Sequence, residues 1–171
     1  MVLRNPFCHS MVEKNVHFLK TNSGKKGEGM PVVRNPQFYF REGFCWIDVN
    51  STYLKARLKG NGVFDVLSMT LFTMTQIPDW YYVSIINSEL ISLYVDNFIN
   101  NTSHFQINDA RQLPIVVPSE AILASCKAIV DDAISVKKRL FMGVISPETA
   151  DHLLKELQHK LDTGIVNLYM I

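Results

Sequence analysis

Two kinds of hydrophobic pattern divide this chain. From residue 1 to about 78, apolar positions come in short aromatic or β-branched runs: Val32-Val33, Phe38-Tyr39-Phe40, Phe44-Cys45-Trp46-Ile47, Val63-Phe64 and Met69 to Met74. Turn-forming residues separate them, at Asn22 to Gly29, Asn35-Pro36, Gly43 and Gly60-Asn61-Gly62. Short runs bounded by glycine, proline and asparagine predict irregular β structure. The Gly60-Asn61-Gly62 triplet tolerates the positive φ that a tight hairpin needs.

Beyond Pro78 the period lengthens. Asp79 is the expected N-cap of a helix running from Trp80 to about Phe98, with Val83, Ile86, Leu90, Tyr94 and Phe98 on one face. Ile85, Ile91, Leu93 and Val95 add apolar circumference, so this helix is expected to be buried on most sides. Asn100 to Ser103 end it. An extended piece follows, then a helical turn capped by Asn108 or Asp109, then a strand at Ile115-Val116-Val117. Pro118-Ser119 opens a further helix whose Ile122, Cys126, Ile129, Ala133, Val136 and Leu140 are spaced four and three apart, a seam for a neighbouring helix. Gly143 stops it. Ser146 and Pro147 then start a last helix with its own seam at Leu154, Leu157, Leu161, Ile165 and Leu168. A short loop between two such helices predicts antiparallel pairing. The expected class is α+β: an irregular mixed β-sheet domain with a buried helix over 1–118, then a C-terminal antiparallel helix pair over 119–171.

Composition narrows the function classes. With 47% apolar and 19% charged residues the chain can build a core, and its apolar runs are too short to span a membrane. The N-terminus lacks a basic stretch followed by an apolar one, so a secretory signal is not expected. Three widely spaced cysteines, Cys8, Cys45 and Cys126, fit reduced thiols in a cytoplasm. The net charge of +1 hides an asymmetry. Residues 1–65 hold ten Lys or Arg against five acids, and the rest holds seven against eleven, balances of +5 and −4. A basic half joined to an acidic one suits a polyanion docking on one face.

Catalytic signatures are missing. Cysteines and histidines offer neither a C-x₂-C nor an H-E-x-x-H pair, so no metal site is expected. Neither a P-loop nor a strand-borne G-x-G-x-x-G occurs, and Gly24 to Gly29 reads as a loop. Cys126 falls on the helical seam and reads as a small packing residue.

The stretch from Gly29 to Pro118 resembles the target-recognition region of TaqI-like adenine-specific DNA methyltransferases of restriction–modification systems. Gly29-Met30-Pro31-Val32-Val33-Arg34-Asn35, Glu42-Gly43-Phe44-Cys45-Trp46, Ala56-Arg57-Leu58 with Gly62-Val63-Phe64-Asp65, and Ile85-Ile86-Asn87-Ser88-Glu89-Leu90 carry the likeness. Its strongest piece is Phe105-Gln106-Ile107-Asn108-Asp109-Ala110-Arg111-Gln112-Leu113-Pro114-Ile115, ending in Val116-Val117-Pro118. The tail from Leu161 to Tyr169 is similar to the family's C-terminal helix. The resemblance implies sequence-specific recognition of double-stranded DNA by a non-catalytic specificity domain. The parent would be an S-adenosylmethionine-dependent adenine methyltransferase of a type II system, with or without a fused endonuclease. Cofactor binding and the Asn-Pro-Pro-aromatic motif that holds a flipped adenine would belong to an N-terminal methyltransferase domain or subunit. Asn5-Pro6-Phe7-Cys8 and Asn35-Pro36-Gln37-Phe38 both lack the second proline, so no catalytic or cofactor-binding residue is carried over.

Base readout needs cations on phosphates and polar side chains in the grooves. The candidate DNA contacts are Lys25, Lys26, Arg34, Arg41, Lys55, Arg57 and Lys59, with Tyr53 and Asn61 as stacking or polar contacts. For each cation the plainer reading is a solvated surface charge, and Trp46 reads as core. Gln106, Asn108, Asp109 and Arg111 are expected to be scaffold. Two rival classes remain at this point. One is a protein–protein module that docks a modification subunit or forms a homodimer through the C-terminal helices. The other is a nuclease built on Asp48 or Asp65, for which no Asp…Glu-x-Lys arrangement is present.

Overall fold

The computed structural model describes residues 14, 17, 21, 35–49, 53–62 and 68–170. The chain divides into two compact units, 1–40 and 41–171. In the first, Lys14, His17 and Thr21 are helical, and the Thr21 hydroxyl donates to the His17 carbonyl at 2.9 Å. Asn35 takes a φ of 50°, a conformation asparagine tolerates, and leads into a 3₁₀ turn over Pro36–Phe38. The aromatic run Phe38-Tyr39-Phe40, expected as a strand, is therefore turn: the proline presets the first turn residue and removes a ladder donor. Val32-Val33 and Val63-Phe64 lie outside the described residues.

The second unit is α+β. Strands β1 (Gly43–Ile47), β2 (Ala56–Lys59) and β3 (Ser68–Leu71) form one sheet in the order β2-β1-β3. Among the described residues both strand pairings are antiparallel, with Cys45 opposite Arg57 on one side and Thr70 on the other. β2 and β3 flank β1 and do not pair with each other, and neither glycine of Gly60-Asn61-Gly62 takes the positive φ expected of a tight hairpin. Alternation along the strands sends Phe44, Trp46, Ala56, Met69 and Leu71 to the helix-covered face.

Against that face lies α1 (Asp79–Ile86), followed by α2 (Glu89–Tyr94) and a π-helical turn over Val95–Ile99. The single helix expected over 80–98 is broken at Asn87-Ser88, and the cap falls on Pro78 rather than Asp79. No glycine or proline causes the break. The Asn87 amide leaves the helix to serve the free edge of β2, accepting from the Ala56 N–H at 2.6 Å and donating to the Ala56 carbonyl at 2.9 Å. Ser88 then restarts the helix as N-cap, accepting from Ile91 N–H at 3.3 Å. On the other side of the break Gln158 donates to the Asn87 carbonyl at 3.0 Å, and Asp162 accepts from the Glu89 N–H at 2.8 Å. One polar break therefore joins the sheet edge to the C-terminal helix.

The motif from Phe105 to Ile115 is a latch. Phe105 N–H donates to the Asp48 carbonyl at 2.9 Å, and its own carbonyl accepts from Trp46 Nε1 at 2.8 Å. A short helix α3 (Ile107–Ala110) follows, with the Asp109 carboxylate accepting from Gln106 N–H at 2.8 Å. Gln106, not Asn108 or Asp109, occupies the N-cap position. Residues 115–117, expected as a strand, form no ladder; tyrosine hydroxyls hold this segment instead, Tyr81 donating to Val116 O at 2.8 Å and Tyr169 to Pro114 O at 2.5 Å.

Two long helices complete the unit, α4 (Glu120–Phe141) and α5 (Pro147–Tyr169). They pack along their seams and run antiparallel, because the end of α5 returns to Pro114 beside the start of α4. Cys126, Leu161, Ile165 and Leu168 join the core of Trp46, Tyr81, Ile85, Ile91 and Phe105. The boundary expected at residue 118 thus falls inside the second unit, where α4 packs on α1 and α5 on α2. Among the described residues no helix is long and apolar enough to cross a membrane.

Candidate functional site

The outward face of the sheet carries Cys45 on β1 and Arg57 and Lys59 on β2. Alternation puts the two cations on one side, about 7 Å apart along the strand. Arg57 is exposed and its Nε–H donates to Cys45 Sγ at 3.4 Å, which lays the guanidinium along the sheet. Lys59 turns toward the start of β1, donating to the carbonyls of Arg41 at 2.7 Å and Gly60 at 3.1 Å. Arg41 and Lys59 both sit over the Phe72 ring, 5.2 and 5.7 Å from its centroid. A glycine makes this possible. A side chain at Gly43 would place Cβ 2.5 Å from the Leu71 carbonyl oxygen and 3.0 Å from the Phe72 ring.

The electrostatics of this end are mixed. Burial pulls the Lys59 ammonium below its ordinary value, opposed by the nearby Cys45 thiol. Glu42 is exposed beside Arg41, and Asp79 lies close enough to feel it. Burial pushes the Asp79 carboxyl up, a hydrogen bond from the Thr73 backbone opposes that, and the Glu42 charge adds to it. Arg57 and Lys55 make no ion pair among the described residues.

The structure brings Arg41 and Lys59 together at one end of the sheet, with Arg57 two residues earlier on β2, opposite Cys45, and exposed Asn61 just beyond β2. Lys55 is exposed before β2. Tyr53 stands apart: with Ser92, Asp96, Asn100 and Phe105 it lines a cavity of about 240 Å³ of mixed polar and apolar walls beside the π-helical turn. Lys25, Lys26 and Arg34 lie outside the described residues. A second cavity of about 240 Å³ is apolar and shares Phe72 with the cation cluster; Phe44, Tyr82, Ile86 and Leu113 also line it. Sequence reasoning missed Phe72 and the role of Gly43. The apolar run Met69 to Met74 contained the first, and Gly43 gave only a turn signal.

Of the two residues weighed for hydrolysis, one is described. Asp48 pairs with His104 Nδ1 at 2.9 Å, and Asp65 lies outside the described residues. Among the described residues no group of three or more His, Cys, Asp or Glu could hold a metal ion. Cys126 is buried in the core, where burial raises its thiol pKa and leaves it a packing residue. No protein-family model matches this chain, and no curated protein matches it.

Proposed function

We propose that this chain recognises duplex DNA without catalysing a reaction itself, as the specificity domain of a restriction–modification adenine-specific DNA methyltransferase. One observation carries the reading: Arg57 and Lys59 lie on the outward face of a sheet whose inner face is anchored by Trp46, with Arg41 beside Lys59 over the Phe72 ring. Cations fixed by a sheet can meet successive phosphates without losing much side-chain freedom on binding. Tyr53, Lys55 and Asn61 are further candidate contacts in this reading, as are Lys25, Lys26 and Arg34, which lie outside the described residues. The scaffold role of the motif around Gln106, Asn108, Asp109 and Arg111 agrees with it, since Asp109 works as a helix cap and Arg111 bonds Asn108 at 3.3 Å.

Transfer of the methyl group from S-adenosylmethionine is assigned to a partner methyltransferase domain or subunit. Asn35-Pro36-Gln37-Phe38 is a 3₁₀ turn without the second proline that an adenine clamp uses. A cytoplasmic setting follows from the reading and suits the free thiols of Cys45 and Cys126.

Fluorescence anisotropy with a pool of mixed-sequence duplexes tests the proposal. Binding is expected at low salt, with log K falling against log salt at a slope of about −2.7 or steeper for three or more phosphate contacts. Arg57→Ala should weaken every duplex and flatten the slope by about one. Absence of binding to any duplex at low salt overturns the reading.

A further inference from the structure

We propose that the outer face of α4, from Lys127 to the hairpin turn, docks a second copy of this chain, antiparallel about a two-fold axis at Ile134. The helix pair has two halves. Near the body, Leu123, Cys126 and Ile129 of α4 and Leu161, Ile165 and Leu168 of α5 belong to the common core or pack against it. Toward the turn only Val136 and Ala150 are buried, and neither belongs to that core. The distal half is therefore an arm held by its own seam.

Its tip is rigid and apolar at once. Gly143 takes a φ of +68° and donates to Leu140 O at 3.0 Å, while Val144 N–H reaches Arg139 O at 2.9 Å, the paired bonds of a Schellman stop. Ser146 caps α5 by accepting from Thr149 N–H at 3.2 Å, with Pro147 at the first helical position. A turn fastened at both ends nevertheless holds Phe141 84% exposed, and Ile134 on the same helix is 37% exposed. Their spacing of seven residues puts them on one stripe, with half-buried Val130 four residues before Ile134.

The charges along that stripe decide the occupant. Lys127, Asp131 and Lys138 alternate in sign beside Ile134 and Phe141. A row of cations alone would suit phosphate, whereas this order is its own complement when reversed. About an axis at Ile134, Asp131 meets Lys138 of the second copy and Lys127 meets the Phe141 ring of the second copy, twice each. Two ion pairs, two cation–aromatic contacts and an Ile134–Ile134 centre thus share one register. The existing Lys127–Asp131 contact at 2.6 Å joins two side chains that are 52% and 59% exposed, so both remain available to a neighbour. Lys138 makes no ion pair among the described residues. The stripe spans roughly 20 Å of helix, which places the contact at the small, weak end of specific interfaces.

Sedimentation equilibrium of the full chain at low salt tests this. A monomer–dimer equilibrium is expected, with a dissociation constant on the order of 10–100 μM. Ile134→Arg should weaken it at least tenfold, as should Lys138→Glu, and adding Asp131→Lys to Lys138→Glu should restore most of the affinity. Circular dichroism checks that the variants stay helical; if Ile134→Arg loses helix, Phe141→Ser at the exposed tip replaces it. A chain that stays monomeric to about 500 μM overturns the proposal. So does a dimer indifferent to the apolar substitution, or one that the charge exchange does not rescue.

Discussion

Two helices of this molecule are interrupted, at Asn87-Ser88 and at Gly143, and they are interrupted by opposite means. At Gly143 everything needed is local: a glycine with positive φ, two carbonyls within the preceding turn, then a serine cap and a proline. At Asn87 nothing local demands a stop, and the partners come from 31 residues upstream and 71 downstream. The first interruption shapes a solvent-exposed turn. The second is where the sheet edge, the buried helices and the C-terminal helix are joined. A break that bonds distant segments should carry more of the fold's stability than one satisfied by its own neighbours.

Substitutions can set the two against each other. Trp46→Ala should have the largest effect, about 3–5 kcal/mol by urea denaturation, because it empties the site of a large, fully buried side chain and strands the Phe105 carbonyl. Trp46 also pairs with Ala56 in register, so its loss undermines the strand that Asn87 holds. Asn87→Ala comes next, at about 2–3 kcal/mol, since it leaves the N–H and carbonyl of buried Ala56 unpaired. Hydrogen exchange at Ala56 should then accelerate, and if it does not, the amide is no more than a surface ornament of β2. Gly143→Ala should cost the least, about 1 kcal/mol, from the left-handed backbone alone, as no atom lies within 4 Å of the added methyl. A Gly143→Ala cost as large as that of Asn87→Ala would erase the distinction.

The helical half was legible for a physical reason. Ile122 to Leu140 and Leu154 to Leu168 repeat at helical spacing, and every one of those positions is at least half-buried along the seam. Ser146, Pro147 and Gly143 punctuate them with local hydrogen bonds that sequence neighbours provide. The strand half was harder. β1 was visible as Phe44 to Ile47, but β2 was not singled out as a strand, because Arg57 and Lys59 interrupt Ala56 and Leu58. Alternation with only two apolar positions is too short a pattern to distinguish from a loop. The candidate cations were visible as residue types only. That Arg41 and Lys59 converge on Phe72 depends on Gly43 letting two backbones approach, a distance no spacing rule contains.

By itself the sequence determined the α+β class, the two seams, the hairpin turn and the core place of Trp46 and Cys126, because each follows from periodicity or from bonds between near neighbours. Tertiary structure alone decided the β2-β1-β3 order, the break at Asn87 and the meeting of Arg41 and Lys59 over Phe72. Those depend on polar groups finding partners far along the chain. A buried backbone N–H must be satisfied, but the residue types do not say by whom.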